Sequence, residues 1–152
     1  MDETADVYEK HRDELIRFAT VLVGPSMAED VMSAAVLRAF ASPSWTSVRD
    51  ARPYLYRAVA NEAHSVRRSA SRRLRREERA AGDERVDGPS PVRASVLAAM
   101  RSLTVRQRAV VFCAYWQELP VPEIALRLGI SVRTAERELA QARRCLEVLL
   151  RD

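Results

Sequence analysis

Apolar residues recur at every third or fourth position through most of this 152-residue chain, the spacing that gathers side chains onto one face of a helix. Tyr8, His11, Leu15, Phe18 and Leu22 form the first such stripe and predict a helix from about Ala5 to Val23, ended by Gly24-Pro25. His11 on that stripe reads as a packed or rim histidine rather than a ligand. Ser26, followed three residues later by Glu29, has the form of a capping box opening a second helix, whose dipole Glu29 and Asp30 complement. That helix is expected to reach Phe40 before Ser42-Pro43 stops it. A loop from Ser42 to Asp50, carrying Trp45 and Thr46, leads into a third helix through Pro53, Leu55, Val59, Ala63 and Val66. After Arg67 the pattern becomes too polar to be core.

The stretch GDERVDGPSP, Gly82 to Pro91, concentrates glycine, proline and charge, the composition of a flexible connection. Beyond it, Val92, Val96, Leu97 and Met100 mark a helix. Thr104 with Gln107 gives a second capping box, for a helix through Val110, Phe112 and Trp116. From Pro120 to Cys145 the chain spells two short helices joined by a glycine turn. Pro122 suits a first helical position, Ile124, Ala125 and Leu128 form the buried face, and Gly129 supplies the turn. Ser131 can cap the next helix, on which Val132, Ala135, Leu139, Ala142 and Leu146 form a stripe that must face a core.

The opposite face of that last helix carries Arg133, Arg137, Gln141 and Arg144, with Thr134 beside them. Arg133 and Arg137 are like charges at i,i+4, mildly unfavourable in an isolated helix and favourable against a polyanion. This is the pattern of a helix-turn-helix that reads DNA in the major groove. A solvated amphipathic helix in any bundle would show the arginines alone, but not the preceding helix, glycine and cap at these spacings.

Composition narrows the picture. Four glycines, 6% aromatic residues and few β-branched alternations indicate an all-α fold, and 152 residues suit two small helical domains. Each core would be thin, so stability would depend on partners. The net charge of +4 is unevenly spread, with Arg67, Arg68, Arg72, Arg73, Arg75, Arg76 and Arg79 crowded into one stretch. Lys10 is the sole lysine. Arginine suits bidentate phosphate contacts, though the same bias follows from a GC-rich genome. No apolar run is long enough to span a membrane and no export leader is visible, so a cytoplasmic location without membrane insertion is expected. Cys113 and Cys145, far in sequence from His11 and His64, read as buried free thiols rather than a zinc site. With no phosphate-binding loop and no nucleophile motif, neither catalytic residues, metal nor cofactor is expected.

Leu103-Thr-Val-Arg-Gln-Arg108, Pro122-Glu-Ile-Ala125, Leu128-Gly-Ile-Ser131 and the stretch from Thr134 to Arg143 resemble the promoter-binding region four of bacterial sigma factors of the extracytoplasmic-function (ECF) group. Ala28-Glu-Asp-Val31 with Leu37-Arg-Ala-Phe40 resembles the polymerase-binding helix of region two. Ala51-Arg-Pro-Tyr-Leu-Tyr-Arg57 with Asn61 resembles the promoter-melting helix that follows. The resemblance implies a region two domain over 1–81, a linker over 82–91 and a region four domain over 92–152. It implies that Glu29, Asp30, Ser33 and Arg38 dock on the clamp helices of the polymerase's largest subunit, with the flap as a further contact. Trp45 and Thr46 would capture a flipped base of the minus-10 element, while Arg57, Asn61, Arg67 and Arg68 contact the opening strands. Arg133, Thr134, Arg137, Gln141 and Arg144 would read the minus-35 element. The implied partners are core polymerase, promoter DNA and an anti-sigma protein.

Trp45 could equally pack its loop onto the second helix, Asn61 could bridge helices, and the arginine run could be a solvated helix end. The chain also departs from the family pattern. Ser33 and Ala34 stand where glutamine and glutamate are usual on the polymerase-docking surface, and Ser65 replaces a usual aspartate. Glu136 occupies a commonly basic position, where it would repel phosphate unless it accepts from a cytosine amine or pairs with Arg143. The chain begins at what would be the second helix of the usual region two. Three other readings therefore stay open: a sigma-like regulator, a divergent factor needing an accessory protein, and an adaptor joining a protein-binding half to an ordinary helix-turn-helix.

Overall fold

The first three helices assemble along their apolar stripes. In the computed structural model, which describes residues 3–78 and 98–151, α1 spans Glu3–Val23 and buries His11, Leu15, Phe18, Ala19 and Leu22. Helix α2, Pro25–Ala41, buries Ala28, Val31, Met32, Ala35, Val36 and Ala39 against it. The expected capping box at Ser26 does not form. Pro25 already occupies the first turn, Gly24 stands at the N-cap with φ 88°, and no side chain caps the helix, so Ser26 lies inside it. A 3-10 turn over Pro43–Ser47 leads to α3, Ala51–Glu78, at 28 residues about 42 Å long. Only its first half is core, through Leu55, Tyr56, Val59 and Ala63. Past Arg67 the helix continues with Arg72, Arg73, Leu74 and Arg76 exposed, carried by residues of good helix propensity rather than by packing.

The C-terminal half begins with a helical stretch over 98–102 (α4) and α5, Val105–Val111. Here the expected capping box is formed. The Gln107 N–H donates to Thr104 Oγ1 and the Thr104 N–H to Gln107 Oε1, both at 3.1 Å. The helix widens into a π turn over Phe112–Trp116, followed by Glu118 at φ 53°. Helix α6, Val121–Leu128, ends at Gly129 in the left-handed region (φ 67°), and α7 runs Val132–Leu150. The Ser131 hydroxyl accepts the Thr134 N–H at 3.0 Å, as expected of the cap. Val110, Cys113, Ile124, Ala125, Ala135 and Leu139 form the small core of this half. Burial there pushes the Cys113 thiol up to about 12, consistent with a structural thiol. The α7 stripe is buried only in its middle. Val132 remains 44% exposed at the start of the helix, and Leu146 is half-buried.

The linker expected over 82–91 lies outside the described residues, as do Val92, Val96, Leu97 and Arg79. The two halves nevertheless meet face to face. Helix α5 packs on α1 and α3, and α6 packs on α3. Val105, Ala109 and Phe112 belong to the same apolar cluster as Leu15, Phe18 and Tyr56, and Leu128 touches both cores. The Phe18 ring lies 4.6 Å from Tyr56 and 5.3 Å from Phe112, so one aromatic side chain joins the halves. Two thin cores thus supply each other's missing partner.

Candidate nucleic-acid interface

Helix α7 presents its polar face as the sequence predicts. Arg133, Arg137, Gln141 and Arg144 are exposed, and the capped first turn fixes the helix N-terminus from which a major-groove reader works. Arg137 has a loose partner in Glu138 at 3.7 Å, too exposed to hold it. Thr134 is less free, since its hydroxyl accepts from Ser131 at 2.9 Å and so belongs to the cap. Gln141 leans away from the arginines toward α5, where Gln107 Nε2 donates to it at 3.4 Å. Arg143 does not reach Glu136. Its Nε donates to the Tyr115 hydroxyl at 2.7 Å, which leaves Glu136 exposed with no ion-pair partner among the described residues.

The second surface centres on α3 and the preceding turn. Trp45 is half-buried, with its ring 4.7 Å from Phe40 and 5.6 Å from Tyr54, both edge-on. Its contacts are those of a residue that packs the turn onto α2 and α3. Hydroxyls complete the turn: Ser44 Oγ bonds Tyr54 Oη at 2.8 Å, Ser47 Oγ donates to the Ser44 carbonyl at 2.9 Å, and Thr46 Oγ1 donates to the Pro43 carbonyl at 3.1 Å. The turn is therefore held in one conformation by its own hydrogen bonds. Beside it a groove of about 380 Å³ brings together Ser42, Tyr54, Arg57 and Asn61 with Arg38. Further along α3, Arg68 bonds His64 Nε2 at 2.7 Å while Arg67 is half-buried. These two do not join the groove.

On α2, Glu29 and Asp30 are exposed and Ser33 is half-buried. Arg38 pairs with Glu62 of α3 at 3.1 Å. Leu37, 70% exposed, stands beside Arg38, an apolar side chain on a face the sequence marks by its charges.

The least legible residues lie between the halves. Arg57 Nη2 donates to the Leu126 carbonyl at 3.1 Å, and its guanidinium lies so close to Gly129 that a Cβ there would meet Arg57 Nε at 2.6 Å. Arg108 is buried, donating from Nε to the Met100 carbonyl at 2.7 Å and from Nη1 to the Leu22 carbonyl at 2.9 Å. Burial, with Arg67 and Arg101 nearby, lowers its pKa to about 10, so it stays charged at neutral pH. Tyr56 donates to Glu14 at 2.7 Å and accepts from Gln117, while Arg127 holds Gln117 at 2.9 Å and lies over the Tyr56 ring. Burial first, then the bond to Glu14, pushes the Tyr56 phenol above the usual tyrosine range. Arg108 was visible in sequence only as part of a motif; nothing local marks it as buried.

No helix among the described residues is long and apolar enough to cross a membrane. Among curated proteins no sequence relative matches significantly. Two solved structures share the fold over nearly the whole chain. One is the sigma factor RpoE in complex with the anti-sigma factor NepR from Bartonella quintana, with a TM-score of 0.69 at 19% identity, covering 96% of this chain and 97% of that one. The other is CnrH in complex with the cytosolic domain of CnrY, with a TM-score of 0.65 at 21% identity, covering 97% and 86%. The model of sigma-70 region 2 matches residues 7–78, and that of sigma-70 region 4 matches residues 93–146. With both regions present in this order on an all-helical chain, the protein belongs to the sigma-70 family, as a sigma factor of the ECF type.

Proposed function

We propose that this chain directs bacterial RNA polymerase to promoters by engaging two DNA elements with its two halves. The observation that carries the reading is the pairing, in family order, of an exposed arginine face on the capped helix α7 with the α3 groove beside a preorganised turn. In this reading Arg133, Arg137 and Arg144 engage the minus-35 duplex, with Thr134 positioning the helix start and Gln141 at the edge of the contact. Arg57, Asn61 and the Pro43–Ser47 turn engage the separated minus-10 strand, where base capture and phosphate contacts offset the stacking lost on opening. Arg67 and Arg68 extend the basic track along α3. Residues 1–81 and 92–152 act as the two binding units, joined through 82–91. The role is recognition rather than catalysis, and the site of action is the cytoplasm.

Polymerase docks on α2 around Glu29, Asp30, Ser33 and Arg38, with Leu37 adding apolar contact that Ser33 and Ala34 do not supply as polar contact. The flap is a second contact on the C-terminal half. As RpoE is described with NepR and CnrH with CnrY, an anti-sigma partner is proposed for this chain too. The test is run-off transcription from promoter DNA with purified chain and core polymerase. Specific transcripts are expected. Duplex binding with no polymerase association would instead favour a sigma-like regulator, and rescue by an added protein would favour a factor needing an accessory subunit.

A further inference from the structure

Glu136 stands exposed on α7, and no bond to another side chain accounts for it among the described residues. Around the helix it lies about 60° from Arg133 and about 100° from Arg137, at the edge of the arginine face. One turn on is the exposed Ala140, whose methyl keeps nothing away from that edge. A carboxylate at this place could serve the helix itself in two ways, and neither applies. The helix dipole favours acid within the first turn, and Glu136 lies past it. An ion pair along the helix needs a base three or four residues away, and only Arg133 has that spacing, in the weaker base-before-acid order. That pair does not form. Arg137 turns to Glu138 instead, and Arg143 to Tyr115.

Left free beside two arginines, the carboxylate is unfavourable against phosphate and favourable against a hydrogen-bond donor. In the major groove the donors are the amines at cytosine N4 and adenine N6, while guanine O6 and thymine O4 are acceptors. Adenine sets its N7 acceptor beside the amine, where it repels a carboxylate; cytosine has only a C–H there. We propose that Glu136 determines specificity in the duplex read by α7: it accepts from a cytosine N4 amine and, by repulsion, rejects guanine and thymine at the same base pair. This rests on the reading of α7 as the duplex-reading helix. Arg133 and Arg137 attract any phosphate backbone, whatever its sequence. A carboxylate among them discriminates by penalising every site that offers it no donor. Its effect falls on a single base pair, next to those met by the two arginines.

Wild type, Glu136→Gln, Glu136→Ala and Arg137→Ala, each as the full chain with and without core polymerase, would select duplexes from a library randomised over the upstream region. The selected duplex would then be varied one base pair at a time in titrations at fixed salt. Both positions are exposed, so the variants keep the core intact. At one base pair wild type is expected to prefer cytosine over thymine or guanine by about ten-fold, with adenine between. Glu136→Gln moves that preference to adenine, whose N6 and N7 suit an amide bidentately. Glu136→Ala levels it and tightens binding of scrambled duplex about three-fold, because a negative charge has left the contact. Selection altered by Arg137→Ala but unchanged in both Glu136 variants would overturn the proposal and leave the reading of α7 standing. A wild type that enriches no sequence in either form, or an Arg137→Ala chain that binds every duplex as wild type does, would overturn the reading and the proposal together.

Discussion

The two surfaces proposed to meet nucleic acid differ in how they meet solvent. On α7, Arg133 and Arg137 stand exposed on a capped helix, and among the described residues the one ion pair they make is between Arg137 and Glu138 at 3.7 Å. On α3, Arg57 is bonded to another helix and Asn61 lines the cleft between the halves. On the proposed reading the first surface needs no rearrangement to accept duplex DNA, whereas the second would exchange protein contacts for nucleic-acid contacts. Periodicity identifies the polar side of a helix, but tertiary packing decides whether that side is available.

The largest expected effect tests whether the halves are coupled at all. Phe18 is fully buried and touches both Tyr56 and Phe112, so Phe18→Ala removes a ring from the N-terminal core and from the seam together. A loss of about 3–5 kcal/mol is expected from the transfer and cavity terms. Urea unfolding in single-tryptophan chains would show it, with Trp45 reporting the first half and Trp116 the second. Both transitions are expected to move to lower urea. A shift confined to Trp45 would mean that the halves fold independently and would remove the basis for the comparison.

Next in size is the loss at the open surface. Arg137→Ala is expected to weaken binding of duplex carrying the upstream element by roughly 1–3 kcal/mol if the side chain reads a guanine edge bidentately. Titration of matched and scrambled duplexes at fixed salt checks it. Equal losses on both would make Arg137 a phosphate contact, and the readout would then rest on Arg133 and its neighbours. Because α7 is already exposed, this loss should be unchanged when the contact between the halves is loosened by Gln117→Met, which removes the bond to the Tyr56 hydroxyl.

Most of the fold was legible because helical amphipathicity is a local property. The starts and ends of α1, α2 and α6 lie within two residues of the expected positions, and the three ends are marked by Gly24-Pro25, Ser42-Pro43 and Gly129. The exposed arginines of α7 were legible for the same reason. The seam was not. Arg57 and Leu126 are 69 residues apart, and Arg108 and Leu22 are 86 apart, so no window of sequence shows that an arginine's partner is a helix-end carbonyl. Trp45 was ambiguous because an indole suits both a core edge and a stacked base, and only the positions of Phe40 and Tyr54 show the packing.

The smallest effects separate two segments that look alike in sequence. Ser26 with Glu29 and Thr104 with Gln107 share the capping-box spacing, yet only Thr104 makes both reciprocal bonds. Thr104→Ala is therefore expected to cost about 1 kcal/mol, read as a lower urea midpoint of the Trp116 transition. Ser26→Ala should change stability by no more than about 0.5 kcal/mol, because alanine is the better helix former inside a first turn and no cap bond is lost. The cause lies one residue upstream. Pro25 presets helical φ and lacks the N–H that a cap would satisfy, so α2 starts before Ser26 can act as its N-cap. Replacing Pro25 with alanine removes that preset, and in the Pro25→Ala chain the Ser26→Ala cost should rise toward the Thr104→Ala value. An unchanged cost there would show that Gly24 at φ 88°, rather than the proline, fixes where the helix begins.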